Sequence, residues 1–164
     1  MSTKKHSIEY RLLVQPTYDG TLKKEGILFL LETSKQFTNF SYNIDVKEDV
    51  DGNKIVWSLH GLRAPSMNMP STGAAQYRKV YFDLSRTVQF TLIKKGNIAA
   101  STELKFLKSS IKTSHSAMNF LKIYTTEQEF EKNRLTDADV PELKPDVHRA
   151  PAKQQSMKKK KTKR

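Results

Sequence analysis

The sequence contains no cysteine, which excludes disulfide bonds, thiolate metal sites and a cysteine nucleophile. It also lacks long apolar runs: the longest, residues 27–31, has five residues, whereas a membrane-spanning helix needs about twenty. No apolar stretch of signal-peptide length follows the basic residues near Met1. These absences predict a soluble protein of a reducing compartment. We expect a cytoplasmic location, with a nuclear one as the alternative in a eukaryote.

Motifs of the common enzyme classes are also absent from the sequence. There is no G-x-S-x-G elbow, no phosphate-binding P-loop and no G-x-G-x-x-G fingerprint. The four histidines, His6, His60, His115 and His148, show no metal-ligand spacing such as H-x-x-x-H. We therefore expect no catalytic residues, no metal site and no cofactor. A small hydrolase-type enzyme is kept as the weakest of three functional hypotheses.

Alternation of apolar and polar residues is the dominant pattern of the first 107 residues. A period of two predicts strands, because successive side chains of a strand point to opposite faces of a sheet. The continuous apolar run at 27–31 predicts a further strand, covered on both faces. The alternating segments are residues 8–14, 40–46, 55–59, 80–84, 88–92 and 98–106.

Asp51-Gly52 is a strong signal for a two-residue hairpin turn. A turn centred there pairs Val46 with Trp57 and brings the apolar faces of the two strands together. Trp57, the only tryptophan, then lies on the apolar face and is predicted to be part of the core.

A second hairpin is predicted at residues 95–97. A three-residue loop there pairs Leu92 with Ala100 and Val88 with Leu104, so that apolar residues oppose apolar residues. A two-residue loop would instead oppose an apolar residue with a glutamate, and the three-residue loop is therefore favoured.

Strands with one apolar face need a second layer to cover that face. The sequence thus predicts an all-β, mainly antiparallel fold: a two-sheet immunoglobulin-like β-sandwich, with a small β-barrel as the alternative. Thr126 to Glu129 matches a capping box and predicts a short helix that packs Phe130 on the body. The predicted divisions are a sandwich domain at 1–124, a capping helix at 125–135 and a disordered tail at 136–164.

Charge is distributed unevenly along the tail. Residues 125–148 hold seven acidic and three basic side chains, whereas the last sixteen residues hold eight basic side chains and no acidic one. They supply +8 of the net charge of +12. Such a polycation predicts binding to RNA or DNA, a nuclear-import signal or a solubilising role. The predicted polyanion-binding residues are Lys153, Lys158, Lys159, Lys160, Lys161, Lys163 and Arg164.

Residues 63–76 show neither a strand nor a helix pattern. Long irregular segments in compact domains are often functional, and methionines provide adaptable apolar contacts. We therefore predict a partner-binding loop with Arg63, Met67 and Met69. The leading hypothesis is a non-enzymatic binding, adaptor or structural module. It would dock a protein partner or larger assembly through this loop or through edge strands. The alternative is a nucleic-acid-associated protein held by its lysine-rich tail. The sequence leaves the oligomeric state open.

Overall fold

A computed structural model describes residues 7–66 and 70–134 of the chain. Ten strands and one short helix make up this part. In chain order they are β1 (Tyr10–Asp19), β2 (Lys24–Phe37), β3 (Asn43–Asp51), β4 (Lys54–Arg63), β5 (Gly73–Tyr81), β6 (Thr87–Lys94), β7 (Ile98–Phe106), β8 (Ile111–Thr113), β9 (Ala117–Met118), β10 (Leu121–Tyr124) and α1 (Glu127–Lys132).

The strands form one curled sheet, a half-barrel, in the order β8-β7-β6-β4-β3-β5-β2-β1-β10-β9. The prediction of a mostly β protein is confirmed. The predicted division into the two sheets of an immunoglobulin-like sandwich is not found, because β3 and β5 join the two halves of the strand order. The sheet is also mixed: β1 and β10, β4 and β6, and β3 and β5 run parallel.

The junction between β3 and β5 is the weakest point of the sheet. It consists of one paired position, Asn43 with Gln76, and the Gln76 amide donates to the Tyr42 carbonyl at 3.2 Å. The strands on one side of this junction (β3, β4, β6, β7 and β8) are called the first wing. Those on the other side (β5, β2, β1, β10 and β9) are called the second wing.

The core lies between the two wings and is centred on Trp57, whose side chain is fully buried. The indole contacts Phe90 of the first wing and Phe29 of the second at ring-centre distances of 5.3 and 5.8 Å. Tyr77 packs edge-on against it at 4.9 Å. The prediction that Trp57 belongs to the core is confirmed, and aromatic packing joins the wings where backbone pairing does not.

Strand directions define two ends of the half-barrel. β1, β3, β5 and β7 run towards one end, which therefore holds the connections β1–β2, β3–β4, β5–β6 and β7–β8. We call this the upper end. The connections β2–β3, β4–β5 and β6–β7 lie at the lower end. The single β3–β5 pair involves the first residue of β3, so the wings are joined near the lower end.

One of the two predicted hairpin registers is confirmed. Leu92 pairs with Ala100 across the three-residue loop at 95–97. In the other hairpin, Trp57 pairs with Glu48 and not with Val46, so that prediction is wrong. The turn residues there are 52 and 53, and only Gly52 has a positive φ, which suits a turn with glycine at its first central position. Over residues 46–51 the shift moves each partner by two positions and therefore leaves the apolar faces unchanged. A bulge at Asp45 and Val46 moves the pairing by one more position, so that Ile44 lies opposite Leu62.

The helix α1 covers the outer face of the second wing. The Thr126 side chain accepts a hydrogen bond from the Glu129 amide at 3.4 Å, which confirms Thr126 as the N-cap. Phe130 is fully buried against Leu13 and Tyr124. Packing on the sheet stabilises this helix, because six residues are too few for a helix to form alone.

An ion-pair cluster lies beneath α1. Arg11 and Glu32 are each 1% exposed, with Nη1 of Arg11 3.6 Å from Oε2 of Glu32. Arg11 also donates to the Phe130 carbonyl and lies over the Phe130 ring. Glu32 accepts hydrogen bonds from Gln76 at 2.6 Å and Arg134 at 3.1 Å. Alternation places Arg11 on the solvent side of β1, but α1 covers that face and buries the guanidinium.

Replacement of Glu32 alone should destabilise the fold more than replacement of the whole pair. Glu32→Met leaves the buried Arg11 guanidinium without this carboxylate and should cost about 3 kcal/mol of unfolding free energy. Arg11→Met combined with Glu32→Met leaves apolar side chains of similar volume and should cost less than Glu32→Met alone. Urea unfolding of the parent chain, of the single variants Arg11→Met and Glu32→Met, and of the double variant measures this. A double variant whose loss equals the sum of the two single losses would contradict it.

Candidate binding site

A groove of about 670 Å³ opens at the upper end of the half-barrel. Its walls come from the end of β1, the start of β2, the end of β5 and the end of β7, with the connections that follow β5 and β7. Both wings therefore contribute to one concave surface. The apolar side chains that line it are Pro16, Tyr18, Ile27, Tyr81, Leu84, Phe106 and Leu107.

Within the described residues, exposed apolar side chains are more numerous at the upper end, where the groove opens, than at the lower end. Six large apolar residues of the described part of the chain are largely exposed, and two of them, Leu62 and Ile98, belong to the lower end. Tyr18, which is 63% exposed, and Leu107 line the groove itself. The four exposed apolar residues of the upper end are Tyr18, Leu22, Val50 and Leu107. This end thus carries an apolar rim around a concavity, an arrangement typical of interaction surfaces.

The charges of the groove are of both signs. Glu25, Asp83 and Lys108 line it, and Asp83 forms an ion pair with the Lys24 ammonium group beside it. Among the lining residues, the negative Glu25 and the positive Lys108 then remain. Their charges oppose each other, so the local field favours neither a strongly anionic nor a strongly cationic ligand.

Gly26 permits the close packing of β2 against β5 in the groove wall. A Cβ atom at this position would lie 2.8 Å from Cγ1 of Val80 and 2.9 Å from the carbonyl oxygen of Tyr81. Only glycine lets β2 and β5 approach this closely.

A hydrogen-bond network connects the inner wall of the groove with the core. The Tyr81 hydroxyl accepts from Nε1 of Trp57 at 2.8 Å and donates to Oε2 of Glu48 at 2.7 Å. Nζ of Lys79 donates to Oε1 of Glu48 at 2.6 Å. Glu48 is on β3, and Lys79 and Tyr81 are on β5. The network therefore joins the two wings on the upper side of their single backbone pair.

The pKa values of the network follow from these bonds. Burial raises the pKa of Glu48, but the hydrogen bonds from Lys79 and Tyr81 outweigh it, so that this pKa lies below its usual value. The hydrogen bond to Glu48 raises the pKa of Lys79. Burial and the bond to the carboxylate both raise the pKa of Tyr81. Glu48 is therefore held ionised and Tyr81 neutral.

The described residues of the sequence-predicted binding loop, 63–66 and 70–76, do not line the groove. Arg63 is the last residue of β4 and forms an exposed ion pair with Asp45 at 2.8 Å. Residues 73–76 belong to β5, so the connection itself is 64–72, at the lower end. Met67 and Met69 lie outside the described residues. The predicted polyanion-binding residues Lys153, Lys158, Lys159, Lys160, Lys161, Lys163 and Arg164 also lie outside them.

The two edge strands are short. β8 has three residues and β9 has two, and the chain passes from one to the other through residues 114–116. The Ser114 amide donates to the Glu103 carbonyl at 3.0 Å. Short edges that are tied together in this way offer little room for a docking strand.

Sequence reasoning did not identify the groove. Tyr18 and Leu22 flank the turn sequence Asp19-Gly20, and apolar residues beside a turn are a weak signal of an exposed apolar rim. The walls, however, come from segments as far apart as Pro16 and Lys108, which only the strand order brings together.

Within residues 7–66 and 70–134, no three His, Asp or Glu side chains lie close enough together to hold a metal ion. No helix of that part is long and apolar enough to cross a membrane. No protein-family model matches the chain, and neither a curated protein nor a solved structure matches it.

Glu48→Gln should alter how stability depends on pH. Because the pKa of Glu48 is lowered in the folded chain, its carboxylate stabilises the fold above its usual pKa of about 4.3. That contribution disappears as the pH falls through the folded-state pKa. We expect Glu48→Gln to cost about 1 kcal/mol at neutral pH and nearly nothing in strong acid. Urea unfolding across the pH range measures this.

Glu103→Gln is the matched control, because Glu103 forms an exposed ion pair with Lys105 on the first wing. Its loss of stability should be small at every pH. If the difference between Glu48→Gln and the parent chain stays constant into acid, the ionised state of Glu48 does not stabilise the wings.

Proposed function

We propose that this protein is a non-enzymatic binding module that docks a protein partner in the upper-end groove. One observation carries the proposal: the described part of the upper end holds four exposed large apolar side chains, and two of them, Tyr18 and Leu107, line a concave groove. Exposed apolar surface is costly in water, and a rim of it around a concavity favours a role in recognition.

The chemistry of the groove favours an apolar segment of a protein over a small charged ligand. Its volume of about 670 Å³ is large enough for several side chains. Tyr18, near the end of β1, lines the groove, and Leu22 in the β1–β2 connection adds exposed apolar surface at the same end. Aromatic anchors with few charges at the centre are typical of protein interfaces. We infer a partner segment that inserts one or two large apolar side chains.

Support for a preformed site comes from the network behind the groove. Tyr81 lines the groove and is fixed by Trp57 and Glu48. A wall that is held in place before binding loses less conformational entropy when the partner docks.

A peptide-display selection on the immobilised full chain tests this proposal. We expect enriched peptides to contain large apolar residues and to bind Leu107→Ser and Tyr18→Ser about five- to thirtyfold more weakly than the parent chain. The physical reason is that each change removes an apolar contact worth about 1–2 kcal/mol. Fluorescence titration of the synthesised peptides gives the dissociation constants.

Leu62→Ser is the matched control, since Leu62 is 43% exposed at the lower end and Leu107 is 46% exposed at the upper end. Its affinities should equal those of the parent chain. Selected peptides that bind all three variants equally would exclude the groove. Peptides lost only with Leu62→Ser would move the site to the lower end, near the 64–72 connection.

The lysine-rich end of the chain supports a second candidate function, attachment to RNA or DNA. The favouring observation is the charge of the last sixteen residues, eight basic and none acidic. Flexible polycations bind phosphates with an affinity that falls steeply with salt. This function does not compete with the groove for the same residues.

Deletion of residues 149–164 tests this second function. The full chain should bind random-sequence duplex DNA or single-stranded RNA with a salt slope of about −0.7 to −0.9 per phosphate contact. The truncated chain should lose this binding, and replacement of Lys158, Lys159, Lys160 and Lys161 by glutamine should reduce the slope. Fluorescence anisotropy measures both. Equal binding by the truncated chain would assign any nucleic-acid contact to the body.

A further inference from the structure

The outer edge of β7 is only partly covered. β7 pairs with β6 in an antiparallel register that sets Thr102 opposite Phe90 and Ala100 opposite Leu92. The Phe106 amide donates to the Arg86 carbonyl at 2.8 Å, which continues the same register. Hydrogen-bonded residues alternate along an antiparallel pair. The backbone groups of the even-numbered residues of β7 therefore point to β6, and those of the odd-numbered residues point away from it.

Two of these odd-numbered residues are left open. Lys105 faces β8, and Glu103 exchanges hydrogen bonds of 3.0 Å with Ser114. Ala99 and Ser101 have no backbone partner on this side within residues 7–66 and 70–134. Two N–H and two C=O groups thus form an open edge, which we call the β7 edge.

The β7 edge lacks the usual protection against strand pairing. Natural edges are guarded by lysine, proline or a bulge. Residues 96–102 contain neither a charge nor a proline, although 28% of the chain is charged. Ala99 and Ser101 are exposed and small, and Ile98 is 47% exposed. Nothing in the side chains of this edge hinders a second strand.

We propose that the β7 edge pairs with the same edge of a second copy of this chain. In the antiparallel register that places Ala99 opposite Ser101 of the second copy, the twofold axis passes through Ala100. All four open groups of each copy then find partners, with four hydrogen bonds in total. In this register Ala99 of each copy binds Ser101 of the other, so both copies contribute the same surface. Such an isologous contact is the usual arrangement in a twofold dimer.

The length and charge of the edge support this occupant. The Ser114 contact closes the edge at Glu103, and the turn at 95–97 ends it before Ile98. The open window is therefore 98–102 in both copies, the length that the proposed register uses. In this register residues 98–102 of one copy lie opposite residues 102–98 of the second copy. Because these residues carry no charge, no like charges meet within the window.

Ala99→Pro tests the interface by removing a donor that the monomer does not use. The Ala99 amide points away from β6, so a proline there is compatible with the strand. We expect sedimentation equilibrium of the full chain to show a dimer whose dissociation constant rises about tenfold or more in Ala99→Pro. Ala99→Ser keeps the amide and should dimerise like the parent chain. A parent chain that stays monomeric at its highest soluble concentration, or an equally dimeric Ala99→Pro, would overturn the proposal.

Cysteine cross-linking tests the register independently of the proline variant. The chain has no native cysteine, so introduced ones report without background. Directly opposite residues lie about 5.5 Å apart at Cα, within disulfide range, whereas diagonal residues lie about 7–8 Å apart. A mixture of Ala99→Cys and Ser101→Cys chains should therefore oxidise to the mixed dimer much more than either chain alone. Preferential formation of either homodimer would overturn the register.

Discussion

The backbone ladder of this sheet stops after one pair between β3 and β5, and the rest of the molecule is arranged around that break. Asn43 and Gln76 join the wings near the lower end. Above them, side chains replace backbone hydrogen bonds: Glu48 reaches across to Lys79 and Tyr81, and Trp57 packs between Phe29 and Phe90. Wings that are joined at the bottom and held by side chains above leave an opening at the top. The groove opens at this upper end, and Tyr81 of the same network lines it.

The outer face of the second wing is stabilised differently. There α1 covers Arg11 and Glu32, and a buried ion pair gains little net free energy because both charges lose their hydration. The main effect of the cluster is to fix the position of α1 on the sheet. Arg11 binds the helix through the Phe130 carbonyl, and Glu32 binds Arg134 just beyond the helix. Apolar residues alone would fix the location of α1 less narrowly. The cluster thus attaches α1 and Arg134, the last described residue, to the second wing.

The sequence indicated which face of a strand is apolar and where hairpin turns lie, but not which strands pair with each other in the sheet. Alternation identified the apolar faces of most strands because side-chain direction along a strand is a local property. At residues 80–84 it was wrong: it predicted Val80 and Phe82 on the core face, whereas Tyr81 between them is the buried residue. The 95–97 loop fixed its hairpin, whereas the Asp51-Gly52 signal fitted two registers that differ by two positions and expose the same face. The parallel pairs β1–β10 and β4–β6 join segments whose alternation carries no sign of a partner. Arg11 was misplaced for the same reason: its covering layer lies 119 residues away.

The two proposed contact surfaces lie at opposite ends of β7 and do not exclude each other. The groove uses Phe106 and Leu107, and the β7 edge uses Ala99 and Ser101. A twofold axis through Ala100 would reverse the direction of β7 between the copies, and with it the upper end. The two grooves of a dimer would then face away from each other. Such a dimer could hold two partner segments at once, and a partner that carries two copies of the segment would bind with higher overall affinity only if its linker spanned both ends.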